Sequence, residues 1–211
     1  MSVAGKIIFI LGIGRSGSTM LDLMLGSHSQ GFSLGEISKL PEIHNRNFDV
    51  ADLSSKGTFW QDHFSDEDAK QLALGLSGHR LNQLIPLKID RWLREITGQD
   101  AVLNPYTLLL NRIQIPVLID SSKYPDWVAQ RLNAREFRQG HLDAYVIHVV
   151  RDGRAVLNSY LRAYPNLTVE TVSQRWLNNL EASENVYGLV AGDRRMQVRY
   201  EALATDRKSV V

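Results

Sequence analysis

Apolar runs alternate along the chain with stretches in which apolar positions recur every three or four residues. "KIIFIL" at 6–11 and "AYVIHVV" at 144–150 are β-branched and apolar at successive positions, the pattern of parallel strands covered on both faces. "IPVLID" at 115–120 is a third such run, and "MQVRY" at 196–200 a weaker fourth. Between them the period lengthens, and helices are expected at 18–27, 66–76, 124–137, 153–162 and 168–187. In the last of these Val169, Val172, Trp176, Leu180 and Val186 form an apolar stripe. Residues 79–113 also read as helical, with breaks at Pro86, Gly98 and Pro105, and 42–57 reads as a loop. Strand and helix in alternation predict a three-layer α/β fold with a central, mostly parallel sheet flanked by helices.

Composition narrows the partners more than the fold. At 211 residues and 44% hydrophobic, the chain is expected to bury one core as a single domain over 1–211. A net charge of +1 argues against a nucleic-acid or membrane-surface binder, so an anionic ligand must be held by a few placed cations. Cysteine is absent, which excludes disulfides, thiolate catalysis and Cys-ligated zinc. The opening "MSVAGKIIFIL" lacks the length of a signal sequence, and no stretch is long and apolar enough to span a bilayer. A cytoplasmic, bacterial protein is the expectation.

In a parallel α/β sheet, ligands collect at the carboxyl ends of the strands. Three stretches with chemical potential sit there: "GIGRSGST" after the first strand, "DSSK" after the third and "RDGR" after "AYVIHVV". Taken alone, "DSSK" reads as a helix cap, with Ser121 or Ser122 capping the next helix, and "RDGR" as a solvated turn. The first stretch says more. Strand, Gly-rich turn and helix start make it P-loop-like, with Gly12, Gly17 and Thr19 in place, and free amides at the helix start favour an anion. Yet Ser18 stands where G-x-x-x-x-G-K-[ST] demands lysine, and the nearest cation is Arg15.

The loop "GIGRSGSTML", the segment "RDGRAVLNSY" and the ending "VRYEAL" together resemble sulfotransferases that use 3′-phosphoadenosine 5′-phosphosulfate (PAPS). The similarity runs from Lys6 to about Leu203 and is closest to the bacterial and tyrosylprotein-type branch, whose loop reads R-S-G-[ST]-T. That resemblance explains the missing lysine: such enzymes have no γ-phosphate to grip and need no metal for transfer. It implies that Arg15, Ser16, Gly17, Ser18 and Thr19 hold the 5′-phosphosulfate through backbone amides, hydroxyls and the guanidinium. It implies that Arg151, with Ser159 eight residues on, grips the 3′-phosphate through charge-assisted bonds. Tyr200 matches a tyrosine near the nucleotide, whereas Asp152 and Arg154 are expected to hold their own turn together.

For the chemistry, the resemblance implies Glu36, twenty-one residues after Arg15, as the general base for the acceptor hydroxyl. Lys123 matches the lysine that steadies the sulfonate and bridging oxygen. Of the six histidines, His148 is expected in the core, and His44 and His63 are the alternative bases. No His, Asp or Glu cluster has metal-ligand spacing, so no metal is expected. Relatives continue past "YE-x-L" into helices and a Gly-containing loop over the nucleotide; in 1–211 that cover is expected to be truncated or missing. The acceptor-binding middle, 40–113, matches poorly, so the partner is a hydroxylated acceptor whose class the sequence leaves open.

Two rival readings remain at this point. One is a P-loop kinase or NTPase, in which Asp120 at the end of "VLID" binds a metal ion; Mg²⁺-dependent loss of ATP distinguishes it. The other is a nucleotide-binding module without turnover, marked by adenosine 3′,5′-bisphosphate binding with transfer to no acceptor.

Overall fold

The computed structural model describes residues 5–41, 62–77, 89, 92–93, 96–97 and 100–205. Five strands form one parallel sheet in the order β2-β3-β1-β4-β5: β1 (Gly5–Leu11), β2 (Gly31–Gly35), β3 (Val117–Lys123), β4 (Leu142–Val150) and β5 (Arg195–Arg199). Helices cover both faces, as expected from the alternation of elements. They are α1 (Ser18–Gly26), α2 (Asp66–Ser77), α3 (Asp100–Leu103), α4 (Pro105–Ile113), α5 (Pro125–Leu132), α6 (Arg135–Arg138), α7 (Gly153–Ala163), α8 (Val169–Gly188) and α9 (Tyr200–Thr205).

β1 shows why its sequence is apolar at every position. Ile7, Phe9 and Leu11 join a core with Leu72 and Leu76 of α2, Tyr106 and Leu109 of α4, Val128 of α5 and Val186 of α8. Ile10, on the opposite face, joins Ile119, Val149, Val198, Leu21 of α1 and Leu203 of α9. Each fully buried side chain of this size contributes about 1.5–3 kcal/mol relative to exposure. The central strand is thereby fixed, and its carboxyl end becomes the place where the connections diverge: the chain leaves β1 towards β2 and leaves β4 towards β5.

Several expectations shift. The short strand β2 falls in a stretch expected only as a return from the first helix; it is held by the Ser33 hydroxyl, which donates to Asp22 Oδ2 of α1 at 2.7 Å. The single helix expected over 124–137 is two, α5 and α6, because Ala134 is extended (φ −68°, ψ 156°). β3 runs on to Lys123, so "DSSK" belongs to the strand, and neither Ser121 nor Ser122 caps α5, which opens instead with Pro125 behind an extended Tyr124. Val169 is 52% exposed, so the stripe on α8 is narrower than expected. The break at Pro105 lies where α4 starts. The loop expected at 42–57, His44, and the breaks at Pro86 and Gly98 lie outside the described residues.

The start of α4 is capped from a distance. Glu136 of α6 accepts the Tyr106 and Thr107 N–H groups at 3.2 and 2.9 Å and the Thr107 hydroxyl at 3.0 Å. Burial pushes its carboxyl from an ordinary 4.5 up to about 7, against the pull of these bonds. A folded-state value above the unfolded one means that the folded state binds more protons between them. Stability from this group is complete at acid pH and is lost as pH rises towards about 7. Chemical denaturation across that range is expected to show the loss, with a slope of at most ~1.4 kcal/mol per pH unit from this one group, and Glu136→Gln is expected to flatten it.

Candidate functional site

The loop after β1 is shaped by close approach on three sides. Gly12 (φ 151°) lies where a Cβ would meet the Val149 carbonyl oxygen of β4 at 2.8 Å. A Cβ on Gly14 would sit 2.5 Å from the Tyr160 hydroxyl of α7. Gly17 (φ 92°) faces the Tyr200 ring, 2.2 Å from where its Cβ would be. Arg15 takes left-handed backbone too (φ 67°), with its guanidinium 5.6 Å from the Tyr164 ring centre.

At the end of this loop α1 begins without a side-chain cap and without an acidic residue in its first turn. Its first amides and the positive end of its dipole are therefore directed at whatever occupies the loop. The Ser16 hydroxyl is fully buried and has no hydrogen-bond partner among the described residues. Ser18 is buried and Thr19 exposed.

Arg151 reaches the same place from the end of β4. Its Nη1 donates to the Arg15 carbonyl oxygen at 2.7 Å, and its guanidinium lies 4.1 Å from the Tyr200 ring centre. Its Nε is buried without a partner among the described residues. A cleft of about 420 Å³ opens beside it, lined by Val150, Arg151, Asp152, Arg199 and Glu201. Ser159 is half-buried on α7, one turn after the fully buried Val156, and no hydrogen bond joins it to Arg151 among the described residues. Asp152 and Arg154 hold their turn as expected: Asp152 caps α7, accepting Arg154 N–H at 2.9 Å and Arg154 Nη2 at 2.6 Å. Those bonds lower the exposed Asp152 carboxyl to about 2.

Glu36 and Lys123 meet on the other side of β1. Glu36 follows β2, and Lys123 ends β3 beside Leu11, its carbonyl oxygen accepting Gly12 N–H at 3.4 Å. The Lys123 ammonium is in contact with Glu36 Oε1, and Lys39 Nζ lies 2.5 Å from Oε2. Burial pushes the Glu36 carboxyl up, but hydrogen bonds from Lys123 and Lys39, with their charges, outweigh it, and the group titrates below the ordinary glutamate range. At neutral pH it is ionised, with an ammonium group on each of its two oxygens.

Asp120 is committed to protein donors. It is 1% exposed, and its oxygens accept hydrogen bonds from the Tyr106 hydroxyl, the Trp127 indole and Ser122. A carboxylate so committed has no lone pair directed at a phosphate loop, which removes the basis for the kinase reading. His148 lies in β4, 1% exposed, against the Tyr187 ring at 6.0 Å, a core position as expected. His63 is exposed ahead of α2. Among the described residues no group of His, Cys, Asp and Glu is arranged to hold a metal ion, and no helix is long and apolar enough to cross a membrane.

The sequence reading missed Tyr160 and Tyr164, which shape and support the loop. Their signal was present: a spacing of four on the helix that follows "RDGR", placing both on one face.

Residues 8–211 match the family described as the sulfotransferase family. Among solved structures, the chain is similar to the sulfotransferase domain from the Synechococcus PCC 7002 olefin synthase. That likeness has a TM-score of 0.59 at 21% identity and covers 100% of this chain and 71% of the other. It is also similar to the sulfotransferase domain from the curacin biosynthetic pathway, with a TM-score of 0.55 at 20% identity, covering 98% and 71%. At these identities the likeness is one of fold. No curated protein sequence matches.

Proposed function

The chain belongs to the sulfotransferase family, and from that premise we propose that it moves a sulfuryl group from PAPS to an acceptor hydroxyl by in-line transfer, with Glu36 as general base. The observation that carries this reading is the convergence of two anion-directed groups on the loop after β1. The uncapped start of α1 with the unpartnered Ser16 hydroxyl forms one, and Arg151, bonded to the Arg15 carbonyl, forms the other. A donor with phosphates at both ends of its ribose fits such a pair, whereas a nucleotide with one phosphate group uses half of it.

PAPS would supply an activated sulfuryl group on a phosphate leaving group. The residues around it then divide the work. The Ser16 amide is committed to the Ile13 carbonyl oxygen at 3.3 Å, so Arg15, the amides from Gly17 to Thr19 and the Ser16, Ser18 and Thr19 hydroxyls hold the 5′ end. Arg151 and Ser159 hold the 3′-phosphate, with the Tyr200 ring stacked on the Arg151 guanidinium. Glu36, ionised at neutral pH, takes the proton from the acceptor hydroxyl. Lys123 has three N–H donors; among the described residues Glu36 takes one, and the others can steady charge on the leaving oxygens.

Transfer from PAPS is expected to survive EDTA, because Ser18 replaces the lysine of a metal-nucleotide loop and Asp120 is committed to protein donors. A radiolabelled-sulfate transfer assay with and without chelator checks it. A strict requirement for Mg²⁺ in the chemical step overturns it.

A further inference from the structure

β3 is irregular at the point where it delivers Lys123. Against β1, Phe9 faces Asp120 and Leu11 faces Lys123, so two residues of β3 stand where β1 has one. Against β2, Ser33 faces Ile119 and Gly35 faces Asp120, which puts the extra residue on β2. Both irregularities therefore meet at Asp120, and such bulges re-aim the side chains that follow them. Gly35 (φ 67°) and Lys123 (φ 72°) both carry left-handed backbone there. Lysine keeps that conformation only where its surroundings hold it.

The holding bonds radiate from one buried carboxylate. Asp120 Oδ1 accepts the Ser122 N–H at 2.9 Å and also the Ser122 hydroxyl. That hydroxyl oxygen in turn accepts the Ser38 N–H at 3.0 Å, which ties β3 to the turn carrying Glu36. Asp120 Oδ2 is anchored below by the Tyr106 hydroxyl at 2.6 Å and the Trp127 Nε1 at 2.8 Å. Glu36 and Lys123 are eighty-seven residues apart, and this chain of bonds spans the two segments that bear them. Burying a carboxylate is costly unless every lone pair is used. Here the donors are Ser122, next to Lys123, and the Tyr106 and Trp127 side chains of α4 and α5.

We infer that Asp120 is a positioning residue for the reaction: through Ser122 it fixes the β3 bulge that aims Lys123 and the turn that carries Glu36, holding the two in contact. The inference rests on the roles proposed above for those two residues. Its failure can nevertheless be told apart from theirs.

The test uses the full chain and four forms: wild type, Ser122→Ala, Ser122→Thr and Asp120→Asn. Carboxyl-detected NMR titration follows Glu36 directly, and calorimetry follows adenosine 3′,5′-bisphosphate. Ser122→Ala loosens the Glu36 turn from the bulge, so the Glu36 midpoint is expected to rise towards that of an ordinary glutamate. Ser122→Thr keeps the hydroxyl and is expected to restore the wild-type midpoint. Asp120→Asn is expected to raise it at least as far as Ser122→Ala; should that variant fail to fold, the Ser122 pair decides alone. Nucleotide affinity is expected to stay unchanged in all folded forms. A purely structural role for Asp120 would lower the melting temperature without moving the Glu36 titration. A folded Ser122→Ala with an unmoved Glu36 overturns the inference and leaves the donor reading standing. Absence of nucleotide binding by the wild type removes the donor reading instead.

Discussion

Glu36→Gln is expected to leave nucleotide affinity unchanged and to lower kcat by ~10²–10⁴, the usual contribution of a positioned base. Glutamine keeps the shape and a hydrogen-bond acceptor for Lys123 but has no basicity to offer the acceptor hydroxyl. The wild-type carboxylate is ionised well into the acid range because Lys123 and Lys39 outweigh its burial, so the rate should hold down to pH values below the ordinary glutamate range. Lys123→Ala is expected to act mainly on kcat as well, by removing charge stabilisation from the leaving oxygens. Glu181, an exposed carboxylate on α8, is the control, and its glutamine variant should turn over normally. Steady-state kinetics with a native acceptor would decide the matter. Wild-type turnover by Glu36→Gln would send the search for the base to His63 and His44.

Arg151→Ala is expected to erase most of the preference for adenosine 3′,5′-bisphosphate over 5′-AMP. A charge-assisted bond is worth about 1.5–3 kcal/mol, so the affinity for the bisphosphate should fall roughly ten- to a hundredfold while that for 5′-AMP changes far less. Two features support this selectivity. The Arg151 Nε has no partner among the described residues, and the Tyr200 ring and the Arg15 carbonyl hold the guanidinium in place. The side chain is thus pre-positioned, and little ordering has to accompany binding. Calorimetry that finds equal affinity for both nucleotides in the wild type would remove Arg151 from the 3′-phosphate.

The parts of the molecule that were legible in the sequence are those whose cause is local. β1 and β4 are apolar at successive positions because helices cover both of their faces, and that burial writes itself into consecutive residues. The loop after β1 was legible because its glycines answer to positive φ and to close contacts. Where the cause is distant, the sequence was mute. β2 contains two glycines and a serine, and its place in the sheet depends on Asp22 and on pairing with β3, which propensity does not weigh. Asp120 could enter a rival kinase reading as a metal ligand because nothing in "VLID" announces the Tyr106 hydroxyl and the Trp127 indole. Glu136 caps a helix some thirty residues earlier in the chain, a bond with no sequence signature at all. The contact of Glu36 with Lys123 is likewise a product of the sheet order, and the resemblance named the two residues without joining them.

The Tyr200 ring against Gly17 has a consequence for the order in which the molecule can be made. Of the five strands β1 is made before the others but sits in the middle of the sheet, so its neighbours β3 and β4 are not available until residues 117–123 and 142–150 have been synthesised. The loop that follows β1 waits longer still. Its last glycine, Gly17, is packed by Tyr200, a side chain more than one hundred and eighty residues downstream. Contacts so distant along the chain form slowly, because loop closure must be paid before they contribute. A nascent chain therefore carries the central strand and its glycine-rich loop long before the loop is packed, and that packing is complete only when Tyr200 arrives.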